Sequence, residues 1–566
     1  MPADTLPFES PMLPPLVLRP PLGPRILRAL VMLLATLLLL GTAGWSLLAN
    51  GREGDIAGAA RQALFEHEWL PAATDSPAGP LTLWLVRTSL NLFGNHELAA
   101  RLPAALAMLA VVWFTLRIGE CLRGTWHGFL AGMLVLCNPG TFTLGRTLTP
   151  APLEAAFLTA AFYALLRGYQ ERRSRQQWFF LVWLMGAGGF FAGGWTVPVC
   201  LAATVLLAMG LYRDARVRLP ALILARSEVV ILLSLFAAIW LGHTGLYPPF
   251  LPMEIGRIAW WQLWLLFPWS LLLLPGCYAV AARLLLRPRR PLDWEEGLPL
   301  LWLGSGLAAV FLLPDANLFS TLILWPAFAL WAAYRLEITP RLRLLRVIGA
   351  VGLIALLCLG VASRFKAVAT ALFPAIDDSI NGIPDFLWPA ITSVTLIAIL
   401  AFTLFVAAAL WLEYQHQRRF ALIALLAAMI PTAYAFADTS AKFAPYFSCA
   451  DLARSLNSTH RPQRLVAIDG SRFAFSSLRF YLAPSFTLLP APPDPAVACA
   501  LWADHHPFLI TRSARLSLWE ERLGLPLQTV SRAGASLLLI PANAPGAPPS
   551  GHAQPERFRG GAAPED

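Results

Sequence analysis

The sequence predicts a polytopic α-helical membrane protein with a small α/β domain near its C-terminal end. Three observations carry that prediction. Of the 566 residues, 57% are hydrophobic and only 13% are charged, with a mean hydropathy of +0.60. A chain of that composition belongs in a bilayer. Arg residues gather at alternate ends of apolar runs. After Ala437 the long apolar runs stop, and strand-like and helix-like pieces alternate. The net charge of +10 therefore encodes topology, and no nucleic-acid partner is expected. The seven Cys contain no C-x-x-C pair, which argues against zinc-ribbon and thioredoxin-like classes.

Residues 1–24 are Pro-rich and expected to be poorly ordered. Arg19, Arg25 and Arg28 precede or begin the first apolar run, Ala29–Leu48, so the N-terminus should be cytoplasmic. That run is long enough to span and has no small-residue cleavage pattern after it, so it reads as a retained anchor. Residues 49–97 then form a large outer loop. Further spans follow at Leu98–Leu116, Trp126–Phe142, Pro152–Leu166, Trp178–Gly194, Val197–Leu211 and Val229–Gly242. Six more follow at Leu263–Ala282, Gly297–Leu313, Phe319–Tyr334, Val347–Ala362, Ala390–Leu412 and Ala421–Ala437. The total is about thirteen, several near the short end of the usual ~17–25 residues.

The inner loops predicted by this alternation carry Arg117 and Arg123, then Arg167, Arg172, Arg173 and Arg175, then Arg213, Arg216 and Arg218. Later ones carry Arg283, Arg287, Arg335, Arg341, Arg418 and Arg419. A missed span would reverse this bias partway along, and it does not reverse. An odd number of spans puts residues 438–543 outside, in the periplasm if the membrane is a bacterial inner membrane. There Asp451–Asn457, Ser476–Leu482, Ala496–Asp504 and Ala514–Leu523 read as helices. Arg464–Ile468, Phe486–Leu489, Phe508–Thr511 and Ser536–Ile540 read as strands. Residues 544–566 are Pro/Gly/Ala-rich and expected to be disordered. Cys449 and Cys499 are the two cysteines of this outer domain. A disulfide between them and a pair of free thiols are both open.

Within the first loop, Gly51-Arg52-Glu53-Gly54-Asp55 places two carboxylates where the chain leaves the bilayer. Such a placement is expensive unless water or a charged ligand is present. Ile56–Leu70 and Pro80–Leu92 follow with apolar residues near one face, as in helices lying in the interface plane. Two such helices either frame a cavity for a lipid substrate or only pack.

The stretch Asn91 to Leu106 resembles the segment leading into the second span of the protein O-mannosyltransferase family, which includes the bacterial lipid A aminoarabinose transferases. Glu53, Ala57 to Leu64 and Trp69 resemble that family's Asp-Glu segment. Gly145-Arg146 through Arg167 resembles the entry to its fourth span, and Trp260-Trp261 through Phe267-Pro268-Trp269 and Pro275 a later segment. The resemblance implies a membrane fold of the C type of glycosyltransferases. It implies transfer of a sugar from a polyprenyl-phosphate carrier to a lipid A-like or protein acceptor, with inversion and without a nucleotide sugar. Such chemistry needs a carboxylate at the acceptor and cations around the leaving phosphate.

The chain departs from the family's pattern at several positions. The first acid of the Asp-Glu pair is Arg52 here, and Asp55 stands two positions on. The acid near the start of the fourth span falls at Pro150 or Ala151, with Glu154 the nearest carboxylate. A Lys-Pro-Pro is replaced by Ala78-Gly79-Pro80, and a Lys before the tenth span is absent at Asp315 to Phe319. The candidate catalytic carboxylates are accordingly Asp55, Glu53 and Glu154. The candidate donor-phosphate ligands are Arg146, Arg52, Arg61, Arg87 and Arg257, since Arg suits bidentate phosphate contact. Arg101, beside Glu97, is expected to be structural.

His243, Tyr247 and Glu254 stand in an outer loop, where either acceptor contact or a plain loop fits. His505-His506, an adjacent pair without an evident third ligand, is weak evidence for a metal. No cofactor is implied beyond the lipid-linked sugar, and a divalent metal is left open. The alternative function class is a non-catalytic carrier or flippase for lipid-linked sugars, or a degenerate partner of an active enzyme. Transporters often show internal repeats, and none stands out here. The Gly-rich run Gly186, Gly188, Gly189, Gly193 and Gly194 fits either broken helices or close helix packing.

Overall fold

The computed structural model describes residues 23–68, 78–223, 293–313, 318–338, 387–459, 464–470 and 472–541, with short pieces between 262 and 280 and between 349 and 357. The expected span Val229–Gly242, half of Leu263–Ala282, more than half of Val347–Ala362, and the terminal segments lie outside these residues, as do His243, Tyr247, Glu254 and Arg257.

The helical part opens with α1 (Pro24–Leu39), α2 (Arg52–Phe65), α3 (Pro80–Phe93), α4 (Glu97–Arg123) and α5 (Thr125–Leu136). It continues with α6 (Pro139–Thr143), α7 (Ala151–Gln170), α8 (Arg175–Gly193) and α9 (Thr196–Leu211). After these come α10 (Trp294–Leu312), α11 (Trp325–Ile338), α12 (Leu387–Tyr414), α13 (Arg418–Ala427) and α14 (Met429–Phe443). Among the described residues, five helical stretches are long and apolar enough to cross a membrane. The total becomes six if Thr196–Leu211 and Arg213–Leu222, bent by 117°, count as one span.

The first helix stops at Leu39 although the apolar run continues to Leu48. A side chain at Gly41 would run into the Leu37 carbonyl, and residues 40–46 fold back as turns. Apolarity alone does not reveal that break. Along α1, Ile26, Leu30, Leu33 and Leu37 are exposed, while Leu27, Val31, Ala35 and Leu39 are buried. One apolar face therefore packs and the other is left for lipid.

The bundle interior is held by aromatic stacking and by close backbone approach. Phe162 of α7 stacks on Trp302 of α10 with ring centroids 4.1 Å apart. A Cβ at Gly119 of α4 would stand 2.7 Å from Gly128 Cα of α5, so these helices touch backbone to backbone. The Gly-rich run of α8 serves packing too: a side chain at Gly188 would collide with the Phe157 ring of α7. Of the Arg residues placed in inner loops, Arg117 and Arg123 lie at the end of the bundle where α4 terminates, with Arg28 beside them. There Arg28 and Arg117 bind Glu120 at 2.7 and 2.6 Å. Arg123 meets Glu295 and Glu337 at 3.0 and 3.3 Å.

The C-terminal part contains α15 (Ala450–Asn457), β1 (Leu465–Ile468), α16 (Leu478–Tyr481), β2 (Thr487–Pro490) and α17 (Pro495–His505). It ends with β3 (Phe508–Arg512), α18 (Leu516–Leu523), β4 (Leu527–Ala533) and β5 (Ser536–Pro541). The strands form one mixed sheet in the order β2-β1-β3-β5-β4. β1 runs parallel to β2 and β3, while β5 runs antiparallel to β3 and β4. Alternation sorts the side chains to two faces. Val466, Ile510 and Leu538 pack with Leu452, Leu456 and Leu478 on one face. Ala467, Leu509 and Leu539 pack with Trp502 and Trp519 on the other. The four strands and four helices expected from the sequence are all present, to within about two residues at most ends. β4 was not expected: it alternates too weakly, and the structure shows a register shift between Thr529 and Ser531.

Candidate active site

The stretch Gly51–Asp55 is the first turn of α2, not a loop. Gly51 turns the chain at φ 100, and the helix runs Arg52–Phe65 instead of the expected Ile56–Leu70. Glu53 and Asp55 both sit in that turn, where a helix N-terminus favours negative charge. At about 100° per residue, carboxylates two positions apart point to different sides of the helix. They do not face each other across one side of the helix.

Glu53 is buried and fully engaged. Its Oε1 accepts from Arg101 Nε at 2.7 Å and from the Leu148 amide at 3.0 Å. Its Oε2 accepts from Arg101 Nη2 and the Ala49 amide, each at 2.9 Å. Burial pushes the Glu53 carboxyl pKa up, but the Arg101 charge and these hydrogen bonds outweigh it and hold the pKa below the ordinary value. The expectation that Glu53 takes an acceptor proton does not fit this geometry, because its oxygens are already occupied by four donors. Arg101 is structural as expected, but its partner is Glu53 and not Glu97. It also donates to the carbonyls of Ala43, Ser46 and Leu47, and so fixes the turns that follow α1. Glu97 accepts instead from Tyr481 Oη at 3.0 Å.

Asp55 is 1% exposed and Glu154 4% exposed. Glu154 stands in the first turn of α7 and lies against the end of α8, where a side chain at Gly193 would overlap its carboxylate. The same end of α8 holds α3: the Ala192 carbonyl accepts from the Gly79 amide at 3.1 Å and from Thr82 Oγ1 at 2.8 Å.

Arg146 lies in the segment between α6 and α7, two residues before the Leu148 amide that binds Glu53. Its Nη2 donates to the Thr42 carbonyl at 2.8 Å. Its Nε and Nη1 are buried and have no hydrogen-bond partner among the described residues. Burial, reinforced by the Arg101 charge, lowers its pKa to about 10, so it remains a cation at neutral pH. Thr149 Oγ1, in the same segment, is likewise buried without a partner among the described residues. Nothing in the sequence pattern singled out Thr149.

The remaining candidate cations separate. Arg52 and Arg87 are half-buried, on the first turn of α2 and in the middle of α3. Arg61 is committed to the C-terminal domain, with Nη1 donating to the carbonyls of Leu482 at 2.6 Å and Arg479 at 3.1 Å. It is not placed to bind a phosphate. Nor does α2 lie open in an interface plane as expected. It is covered by α3 on one side and by α16 of the C-terminal domain on the other, and Ile56, Ala57, Ala60 and Phe480 share one apolar cluster. The half-exposed Phe65 and the exposed Leu92 and Phe93 are the apolar residues these two helices leave uncovered at their C-terminal ends.

No group of three metal-binding side chains occurs among the described residues. His505 and His506 are exposed at the end of α17, where His506 provides the left-handed cap at φ 41. The disulfide left open for Cys449 and Cys499 is not formed. Cys449 is buried and donates to Asn50 Oδ1 at 3.3 Å, whereas Cys499 is exposed beside the Arg522 carbonyl.

Residues 75–240 match the family described as dolichyl-phosphate-mannose-protein mannosyltransferase. No curated protein matches the chain in sequence. Among solved structures, ArnT from Cupriavidus metallidurans in the apo state is similar with a TM-score of 0.67 at 16% identity, over 90% of this chain and 97% of that one. The same protein bound to undecaprenyl phosphate is similar with a TM-score of 0.65 at 15% identity, again over 90% and 97%. The resemblance read from the sequence therefore holds: the chain has the ArnT-type membrane fold and carries the mannosyltransferase family's pattern across residues 75–240.

Proposed function

We infer that the chain is a membrane glycosyltransferase that moves a sugar from a polyprenyl-phosphate donor to a lipid A-like or protein acceptor. The observation that carries this is Arg146, a buried guanidinium with two nitrogens, Nε and Nη1, that have no partner among the described residues, in the segment that joins the buried carboxylates Glu53 and Glu154. A phosphate oxygen can accept from either of these nitrogens, Nη1 at the tip of the guanidinium or Nε at its side, and Thr149 Oγ1 is a further donor close by in the chain. The similarity to a protein with undecaprenyl phosphate bound supports the same donor chemistry.

In the reaction, the bond from the sugar C1 to the phosphate oxygen breaks and the acceptor oxygen forms the new bond to C1. The acceptor proton passes to a carboxylate, and the leaving polyprenyl phosphate carries away the electron pair. Arg146 stabilises the charge that develops on that phosphate. Asp55 and Glu154 are the candidate carboxylates for the acceptor side, and Asp55, in the first turn of α2, is the favoured base. Arg52 and Arg87 stand on the helices that frame the donor path. The protein sits in a bacterial inner membrane with its N-terminus inside and residues 438–543 in the periplasm. A reporter joined at Asn543 that works only in the cytoplasm would reverse this topology.

The deciding experiment incubates purified protein in nanodiscs with polyprenyl-phosphate sugars and follows released polyprenyl phosphate. Asp55→Asn should lower the rate by ~100- to 10,000-fold, as loss of a general base does, with normal membrane insertion. If wild type and Asp55→Asn turn over equally, the base assignment fails. If the wild type transfers nothing while gene deletion changes glycolipid export, the chain is a carrier and not a transferase.

A further inference from the structure

The C-terminal domain is bound to the start of α2 by a buried polar latch. Asn50 Oδ1 accepts from Ser477 Oγ at 2.6 Å, from the Ser477 amide at 3.3 Å and from Cys449 Sγ at 3.3 Å. Ser477 Oγ also receives the Cys449 amide at 2.9 Å. Ser476 Oγ holds both backbone groups of Gly51, accepting from its amide at 2.8 Å and donating to its carbonyl at 2.7 Å. The Asn50 amide donates to the Phe447 carbonyl at 2.8 Å.

The helix that follows is pressed against the same segment. A Cβ on Gly54 would stand 2.6 Å from Ser477 Cα, and one on Gly58 would stand 2.8 Å from Arg479 Cβ. Tyr481 Oη completes the attachment by accepting from the Leu48 amide at 2.8 Å. Ser476 and Ser477 are 2% and 0% exposed. Buried polar groups matched this completely fix one arrangement, because any other leaves them unsatisfied.

We propose that the C-terminal domain is a positioning element of the reaction, and that Asn50, Ser476 and Ser477 set the orientation of the α2 first turn carrying Asp55. This role rests on the transfer reading given above. The latch fixes backbone at residues 50 and 51, while Arg101 and Glu53 fix residues 43–49 and 53 from the opposite side. The first turn of α2 is therefore held from both the membrane part and the C-terminal domain. A base at Asp55 works only within a narrow range of approach to the acceptor.

The test uses the full chain in nanodiscs with Asn50→Leu and Asn50→Asp. Leucine removes the acceptor that three donors share, whereas aspartate keeps it. Hydrogen exchange should speed up at residues 50–56 in Asn50→Leu on the order of tenfold, with strand Phe508–Arg512 as protected as in wild type. In the same variant, kcat with a polyprenyl-phosphate sugar should fall roughly 10- to 100-fold at unchanged donor KM, and Asn50→Asp should restore most of it. Unchanged exchange at residues 50–56, or faster exchange with kcat intact, overturns the positioning role. If the wild type itself transfers no sugar, the transfer reading fails and this role falls with it, while the exchange data still report whether the latch exists.

Discussion

Arg101 grips both carboxylate oxygens of Glu53, from Nε at 2.7 Å and from Nη2 at 2.9 Å, and both side chains are buried. The pair ties α4 to α2, to the turns after α1 and, through the Leu148 amide, to the segment before α7. Removing one partner of such a pair strands a buried charge, at a cost of about 3–5 kcal/mol. Glu53→Gln and Arg101→Leu should both lower the yield of folded protein in detergent and the midpoint of thermal unfolding. A catalytic role for Glu53 predicts otherwise: normal stability with lost activity.

The same pair gives a pH dependence with a definite sign. The folded-state pKa of Glu53 lies below its ordinary value of 4.5. Its contribution is therefore fully present above that value and is lost as the pH falls through the lower, folded-state pKa. Thermal unfolding in detergent should show a steeper loss of stability below about pH 4.5 in the wild type than in the double variant Glu53→Gln, Arg101→Leu. Parallel curves would mean that the Glu53 carboxyl has the same pKa folded and unfolded.

Cys449 and Cys499 give a prediction independent of catalysis. Burial pushes the Cys449 thiol up to about 11, and the side chain is enclosed, whereas Cys499 is exposed. A maleimide added to the intact protein should label Cys499 and leave Cys449 unmodified until the C-terminal domain is denatured. Electrophoretic mobility should be the same with and without reductant. Early labelling of Cys449 would show that the contact with Asn50 opens in the native state.

Much of the fold was legible in the sequence because apolar length and Arg placement are strong signals in a bilayer. The sheet elements were legible because β1, β3 and β5 are short apolar runs between turns. The site was less legible. Glu53 and Asp55 stood out as an acidic pair, but nothing local showed that Glu53 belongs to Arg101, 48 residues away. The latch joins Asn50 to Ser477 across 427 residues, and neither residue carries a periodic or spaced pattern. The end of α1 was missed because an apolar run looks the same whether it continues as helix or turns back at Gly41.

Glu154 can occupy its place only because position 193 has no side chain. Gly193→Ala would put a methyl group where the carboxylate lies, and the Gly193–Gly194 end of α8 leaves little room to yield, since Ala192 is bonded to Gly79 and Thr82. If Glu154 serves the acceptor, Gly193→Ala should lower kcat by roughly tenfold or more, and Glu154→Gln should lower it in the same direction. The double variant should be little worse than the weaker single one, because both disturb one group. Full activity in Gly193→Ala would remove Glu154 from the reaction.

Arg146 separates donor binding from acceptor chemistry. One of its nitrogens is used by the Thr42 carbonyl, and two are free of partners among the described residues. Arg146→Lys keeps the charge but loses the planar guanidinium with its fixed donor directions, and Arg146→Ala removes charge and donors alike. A charged hydrogen bond contributes about 1.5–3 kcal/mol, so Arg146→Ala should weaken binding of polyprenyl phosphate roughly 10- to 100-fold, with Arg146→Lys between alanine and wild type. Binding is measured directly, by titrating polyprenyl phosphate into the protein in nanodiscs, so the result does not depend on turnover. A ligand that bears the lipid and no phosphate should bind all three proteins alike. If it instead loses affinity in step with polyprenyl phosphate, Arg146 shapes the lipid path and does not hold the phosphate. If all three proteins bind polyprenyl phosphate equally, the donor phosphate lies elsewhere, and the leftover N–H groups of Arg146 need another partner.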